Sequence, residues 1–218
     1  FYRDIKAAGI TVWGAAIDTL ENTSRFSKGA ETGPMTILHL FDQPLAITRP
    51  YEGYMGNLFL PRAVADRAAE ASILLSFRTP RAQVMQALRM TYPDIAPERI
   101  HVWTLGGKSR VTRISGLWQE WAELGAHVVE DGFPLPTGMA AFNESGTYAP
   151  TFCVGPYEQD GERHLFLVDG YAASAEAIQA VSLAPMLGLA AYITPFTSTF
   201  EVPYDRERLV MALDPDGG

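Results

Sequence analysis

Apolar residues recur at helical spacing in the part of the chain that follows residue 61. Such spacing places apolar side chains on one face of a helix and predicts three amphipathic helices. Pro61 and Pro80 suit the first turns of two of them, and Gly125 suits the end of the third. The three apolar sets are Val64, Ala68 and Ala71; Val84, Met85, Leu88 and Tyr92; and Ile114, Leu117, Trp118, Trp121 and Leu124.

Short apolar runs alternate with these helices and predict strands. The alternation predicts an α/β fold with three layers: a mainly parallel (mixed) sheet with helices on both faces, built from Rossmann-like units. His101 lies in a run that we expect near the centre of the sheet, so it should be buried with a hydrogen-bond partner. The runs are 72–77, 99–105, 126–130, 149–157, 163–168 and 190–196, with one more helix at 174–187.

The first 60 residues follow a less regular pattern. A helix over 1–8 that ends at Gly9 and strands at 10–17, 35–41 and 45–48 are predicted. The segments 18–34 and 49–60 are rich in Gly, Pro and polar residues, and we expect them to be irregular loops at the ligand edge of the sheet. A lid over an anionic ligand would suit their cationic and aromatic side chains, which are Arg25, Lys28, Arg49, Tyr51 and Tyr54.

Length and cysteine content narrow the class of protein. The chain has 218 residues and a single cysteine, so a disulfide framework is excluded and a cytoplasmic protein is expected. One α/β domain over 1–218 accounts for the length. The sequence starts at Phe1 and stops at Gly218 straight after a charged stretch, which leaves open that the domain belongs to a longer chain or assembles with copies of itself.

The stretch 177–200 contains no charged residue. Its 24 residues are long enough to cross a bilayer. Pro185, Gly188 and Pro195 interrupt it, and they favour a helix, a turn and a strand of a soluble protein.

Charge is distributed unevenly along the chain. The net charge of −8 argues against nucleic acid as a partner. The stretch 78–113 differs, because it holds seven basic residues and only two acidic ones, Asp94 and Glu98. Such a basic stretch in an acidic protein indicates a site for a small anionic metabolite, or basic side chains that pair with the acidic residues elsewhere.

The strongest functional signal is a glycine-rich basic loop between a predicted strand and a predicted helix. A loop in this position lies at the carboxyl edge of a parallel sheet, where ligands usually bind. Glycines let backbone N–H groups approach an anion, and a helix N-terminus adds further donors and partial positive charge. The predicted ligand-binding residues are Gly106, Gly107, Lys108, Ser109, Arg110 and Arg113.

The loop differs from two known phosphate-binding motifs. A Walker A loop requires glycine where Val102 stands. The unit is similar to the first βαβ unit of short-chain dehydrogenases, including the sequence ELGAHVVED, in which Glu130 or Asp131 would hold a ribose hydroxyl. This similarity implies an NAD(P)-dependent oxidoreductase with a degenerate dinucleotide loop, because the third glycine of that fingerprint is missing.

Three carboxylates are candidates for acid–base catalysis. Asp131 and Glu144 lie in turn-rich segments after a predicted strand, and Asp169 follows the apolar run HLFLV. A carboxylate at the carboxyl end of a parallel strand faces the ligand crevice. The alternative is that these residues hydrogen-bond their own turns.

Metal-binding motifs are missing from the sequence. The four histidines lie in separate predicted strands without the i, i+2 or i, i+4 spacing of a metal pair. No structural metal is expected, the cofactor stays unknown, and Mg²⁺ would enter only together with a phosphate ligand. Cys153 lies in an apolar run and is expected to be buried and inert.

These observations favour an enzyme that binds a phosphorylated or carboxylated metabolite at the basic loop and uses a carboxylate as acid or base. The reaction class stays open among group transfer, lyase and isomerase chemistry. The two alternatives are the NAD(P)-dependent oxidoreductase and a non-catalytic subunit or domain of a larger enzyme.

Overall fold

The computed structural model divides into two compact units, Phe1–Glu52 with Asp214–Gly218, and Gly53–Leu213. The expectation that 1–218 form a single domain stays a prediction. The described residues are 4, 7–11, 13–21, 27, 29, 35–41, 54–104, 111–129, 133–134, 136, 148–173 and 180–195.

The described strands of the first unit form an antiparallel pair. Strand β1 (Gly14–Glu21) pairs with β2 (Met35–Phe41) from Gly14 opposite Phe41 to Glu21 opposite Met35. The prediction of β2 is confirmed. β1 lies four residues later than predicted, because its pairing extends through polar residues that the sequence pattern assigned to a turn.

The second unit contains a mixed sheet, in which six strands are described. The strand order is β5–β4–β7–β3–β8, and β6 also pairs with β7. The strands are β3 (Tyr54–Pro61), β4 (Ile100–Trp103), β5 (His127–Val128), β6 (Gly155–Gln159), β7 (Glu162–Ala173) and β8 (Leu189–Pro195). The helices with described bounds are α1 (Arg62–Glu70), α2 (Arg81–Thr91), α3 (Val111–Glu123) and the short α4 (Tyr148–Thr151).

The prediction of a mixed sheet is confirmed, but the sheet is not mainly parallel. β5, β4 and β7 are parallel, whereas β3 runs antiparallel to both β7 and β8, and β6 runs antiparallel to β7. A local cause is visible at the β6–β7 connection, where Asp160 and Gly161 have φ angles of 53° and 78°. Two consecutive residues with positive φ form a tight hairpin turn, which makes the flanking strands antiparallel neighbours.

The expected loop at 49–60 contains a strand in the interior of the sheet. β3 pairs with β7 on one side and with β8 on the other. Apolar and polar residues do not alternate regularly along β3, which contains Gly56, Asn57 and Leu58. A strand that is buried on both faces does not need such alternation. A lid formed by the whole segment is therefore excluded, and Tyr54 is the first residue of β3. The lid residues Arg25, Lys28, Arg49 and Tyr51 lie outside the described residues.

The apolar run at 72–77 is not a strand. The Thr79 hydroxyl donates a hydrogen bond to the Leu74 carbonyl at 3.1 Å and accepts one from the Ser76 N–H at 2.8 Å. Ser72 also has a positive φ of 59°. Side-chain hydrogen bonds thus replace the ladder that a strand would need. The predicted strand at 149–157 is also wrong in part, because this stretch forms α4 and then the first residues of β6.

Alternation along the strands separates two buried clusters. Leu58, Val102 and Leu167 pack with α1, α2 and α3 on one face of the sheet, called face A. Phe59, Trp103 and Phe166 pack with Cys153, Ala180 and Ala184 on the other, called face B. The predictions of α1, α2 and α3 are confirmed, as is a buried Cys153. Within the predicted helix 174–187, residues 180–183 are helical and 174–179 lie outside the described residues.

Candidate functional site

The predicted basic loop belongs to the parallel unit β4–α3–β5. β4 and β5 are adjacent parallel strands, with His101 opposite His127 and Val102 opposite Val128, and α3 connects them. Arg113 is the third residue of α3, whose first turn holds no acidic residue. The other predicted ligand residues, Gly106, Gly107, Lys108, Ser109 and Arg110, lie outside the described residues.

The start of the loop after β4 is anchored on both sides. Thr104 is fully buried, and its hydroxyl accepts a hydrogen bond from the indole N–H of Trp118 on α3. On β7, a Cβ at Gly170 would collide with the Thr104 carbonyl, so glycine lets the two backbones meet. This packing fixes the point at which the chain leaves β4 toward residues 105–110.

Asp169 is held in an internal ion pair on face A. The sequence pattern placed Asp169 at the end of a strand. β7 continues to Ala173, so Asp169 lies within the strand instead. Arg81 of α2 donates from Nε to Asp169 Oδ2 at 2.5 Å and from Nη2 to Oδ1. Trp121 of α3 donates from Nε1 to Oδ2 at 2.6 Å. Both charged side chains are completely buried.

The rest of the Arg81 guanidinium is also satisfied. Nη1 donates to the carbonyls of Phe77 and Thr79, each at 2.7 Å, and the guanidinium lies 5.1 Å from the centroid of the Phe77 ring. Arg81 therefore ties the turn at 77–79 to β7, while Trp121 ties α3 to the same carboxylate. Because both Asp169 oxygens accept internal hydrogen bonds, this arrangement connects α2, α3 and β7.

The basic residues of 78–113 are distributed over different surroundings. Arg81 is buried, whereas Arg89 is exposed on α2. Arg99 forms an ion pair with Glu162 of β7 at 3.3 Å. The basic stretch therefore does not form one continuous patch among the described residues.

Face B carries a feature that the sequence analysis missed. His127 of β5, His101 of β4 and His164 of β7 lie side by side and form what we call the histidine row. His101 Nδ1 lies 2.8 Å from His127 Nδ1, and His101 Nε2 lies 2.9 Å from His164 Nδ1. The His101 and His164 rings are nearly parallel, with centroids 5.2 Å apart. The prediction that His101 is buried with a hydrogen-bond partner is confirmed, since it is 8% exposed.

Aromatic rings surround the histidine row. Phe133 lies 5.0 Å from His101 and 5.5 Å from His127, measured between ring centroids. Tyr157 of β6 lies opposite His164 in the strand register, with ring centroids 5.4 Å apart. Phe133 and Tyr157 thus cover the buried His101, whereas His127 at one end of the row is exposed and His164 at the other is half-buried.

Burial changes the proton affinities in this cluster. Burial, together with the neighbouring His127 and His164 rings, lowers the pKa of His101 to about 4. Burial also raises the pKa of Tyr157 to about 12. His101 and Tyr157 are therefore both neutral near pH 7.

The remaining acid–base candidates lie outside the described residues. Asp131 and Glu144 belong to this group, as does Glu130, the alternative ribose ligand. Phe133, the first described residue after Asp131, packs against His101 on face B.

The histidine row could have been found from the sequence by a different argument. His101 and His127 occupy equivalent places near the starts of two predicted strands, and neighbouring parallel strands bring such positions together. His164 occupies a similar place in a third. Motif spacing along one chain segment cannot detect a site assembled across strands. Arg81 lacked any sequence signal, since it resembles the exposed arginines near it.

Among the residues that the structure describes, no group of three His, Cys, Asp or Glu has a metal-binding arrangement. Nor does any helix in the described ranges have the length and apolar character needed to cross a membrane.

Comparison of the sequence with protein-family models found no match. Comparison with curated proteins found no match either.

Proposed function

We propose that this chain binds a small anionic metabolite, phosphorylated or carboxylated, at the loop between β4 and α3 and acts on it as an enzyme. The observation that supports this most is the parallel β4–α3–β5 unit. In such a unit the residues 105–110 connect the carboxyl end of a strand to the N-terminus of a 13-residue helix. Backbone N–H groups and partial positive charge at that terminus favour an anion.

The described surroundings also favour this placement. No acidic residue occurs between Arg99 and Gln119, so no carboxylate of that stretch competes with the ligand. The buried Thr104, held by Trp118 and packed against Gly170, gives the loop a fixed starting point. A preorganised loop loses less conformational entropy when it binds a ligand.

Acid–base catalysis is assigned in this proposal to Glu144 or Asp131. Asp169 has a positioning role instead, because Arg81 and Trp121 already engage both of its oxygens. We further propose a three-layer, Rossmann-like arrangement. α1, α2 and α3 pack on face A, while the helical residues 180–183 and α4 would form the layer over face B.

The test is calorimetric titration with inorganic phosphate, citrate and a panel of phosphorylated metabolites. Lys108→Ala should weaken binding about 10- to 100-fold, because a charge-assisted hydrogen bond contributes roughly 1.5–3 kcal/mol. Arg89→Ala removes an exposed charge from α2 and serves as the matched control, with affinity changed less than about twofold. Equal affinities of Lys108→Ala and the wild type would refute the loop as the site.

Turnover and cofactor binding separate the remaining possibilities. Conversion of a bound metabolite, followed by NMR of the ligand, should be lost in Glu144→Gln or Asp131→Asn while binding persists. NADPH fluorescence that increases on binding and weakens in Asp131→Asn would instead favour the oxidoreductase. Binding without any turnover would favour the non-catalytic subunit.

A further inference from the structure

The histidine row has a limited capacity for protons, which follows from its hydrogen bonds. Its two contacts join His101 Nδ1 to His127 Nδ1 and His101 Nε2 to His164 Nδ1. An N–H···N hydrogen bond needs one hydrogen, since a protonated nitrogen must face a bare one. The row therefore needs one hydrogen in each contact. The Nε2 atoms of His127 and His164, called the outer Nε2 atoms, can each carry one more.

The count of hydrogens sets the limit. Three neutral imidazoles carry three hydrogens, two of which fill the contacts while the third resides on one outer Nε2. One added proton occupies the other outer Nε2, and both contacts stay intact. A second added proton would have to enter a contact that already holds a hydrogen. Two hydrogens would then face each other across 2.8 or 2.9 Å, and that contact must break.

We propose that the histidine row is a pH-responsive element of the fold: it accepts one proton, shared among its three rings, and separates when it binds a second. Separation would remove the surface on which Phe133 packs, because that ring lies against both His101 and His127. Acidification would therefore loosen the segment that follows β5 from face B.

The groups that face the row support a response confined to these three rings. Among the described residues, Tyr157 of β6 lies against His101 and His164, and Cys153, after α4, belongs to the apolar cluster on face B. Phe133, from the segment after β5, is apolar. The charged residues next to His164 on β7 have partners elsewhere: Arg163 pairs with Asp94, and Glu162 pairs with Arg99.

The test is NMR of the full chain labelled with ¹⁵N-histidine, titrated from pH 8 to pH 3.5, which passes below the pKa of His101. Couplings between ¹⁵N nuclei across N–H···N hydrogen bonds report each contact directly, and ¹⁵N shifts report the protons on each ring. We expect two such couplings at pH 8, uptake of one proton by the row with both couplings retained, and loss of a coupling with the second proton. Uptake of two protons with both couplings retained, or no coupling at any pH, would overturn the proposal.

Variants test whether the rings titrate as one unit. His164→Asn should change the titration of both His101 and His127, because it removes one end of the row. Arg67→Ala, which removes an exposed side chain from α1 on face A, should change neither. Unaltered titration of His127 in His164→Asn would show independent rings and overturn the proposal. If His164→Asn does not fold, the couplings of the wild type decide alone.

A titration with Zn²⁺ tests whether the histidine row is a metal site instead. Under the proposal, Zn²⁺ added at pH 7.5 leaves both N–H···N couplings in place. Stoichiometric Zn²⁺ binding that removes these couplings and is lost in His101→Phe would identify a metal site and overturn the proposal.

Discussion

Removing one partner of the Arg81–Asp169 ion pair should strongly destabilise the protein. Both side chains are fully buried. In Arg81→Met the Asp169 carboxylate keeps only the Trp121 hydrogen bond, and the carbonyls of Phe77 and Thr79 lose the donor Nη1. Loss of one member of a buried ion pair costs about 3–5 kcal/mol, because the remaining charge is left in the interior without compensation.

Urea unfolding followed by circular dichroism measures this cost. A small domain has a total stability of roughly 5–15 kcal/mol, so Arg81→Met will shift the midpoint far toward low urea. The double variant Arg81→Met/Asp169→Leu should recover much of the lost stability, since it removes both charges together. It also keeps the measurement meaningful if the single variant does not fold.

An exposed ion pair provides the matched control. Arg67 and Glu70 form a salt bridge at 2.7 Å on α1, with side chains 53% and 65% exposed. Arg67→Ala should therefore change the free energy of unfolding by less than about 1 kcal/mol. A cost for Arg81→Met as small as that of Arg67→Ala, or a double variant less stable than both single variants, would refute the reasoning from burial.

Three further predictions concern the same fold. The native pKa of His101 is about 4, below the ordinary 6.5, so the unfolded chain binds the proton first and stability falls as pH decreases from 6.5 to 4. At about 1.4 kcal/mol per pH unit the loss reaches about 2–3 kcal/mol, measurable by urea unfolding at pH 7 and 4.5 and absent in His101→Phe. Gly170→Ala should cost roughly 1–3 kcal/mol through its collision with the Thr104 carbonyl, and a thermal midpoint equal to that of the wild type would contradict this close approach. Trp121→Phe should cost about 1–3 kcal/mol in urea unfolding by removing the hydrogen bond to Asp169, whereas the exposed Trp13→Phe should be neutral.

Helices with one apolar face could be predicted from the sequence. One face of such a helix packs on the sheet, so its apolar residues recur at helical spacing. α2 illustrates this: Val84, Met85 and Leu88 are buried as their spacing indicates. The same pattern could not reveal that Arg81 points into the interior, since that depends on Asp169, a residue 88 positions further along the chain. Long-range pairing decides between an exposed and a buried arginine.

The two wrong strand predictions, at 49–60 and at 72–77, have a common physical origin. β3 is a strand because β7 and β8 supply partners on both of its edges, whereas its own sequence contains Gly56 and Asn57. The run at 72–77 has a favourable composition, but Thr79 supplies side-chain hydrogen bonds in place of a ladder. Whether an apolar run becomes a strand thus depends on which backbone partner it meets. Local composition does not contain that information.

β7 connects the two polar clusters because its side chains alternate between faces. Asp169 faces Arg81 on face A, whereas His164 joins the histidine row on face B. The first cluster is neutralised by charges of opposite sign within the protein, so it requires nothing from solvent to remain balanced. The second contains three imidazoles, which gain positive charge when acid protonates them, and burial of His101 opposes that charge. A single strand therefore combines a permanently balanced charge pair with a cluster whose charge can change, and acid should act first on face B.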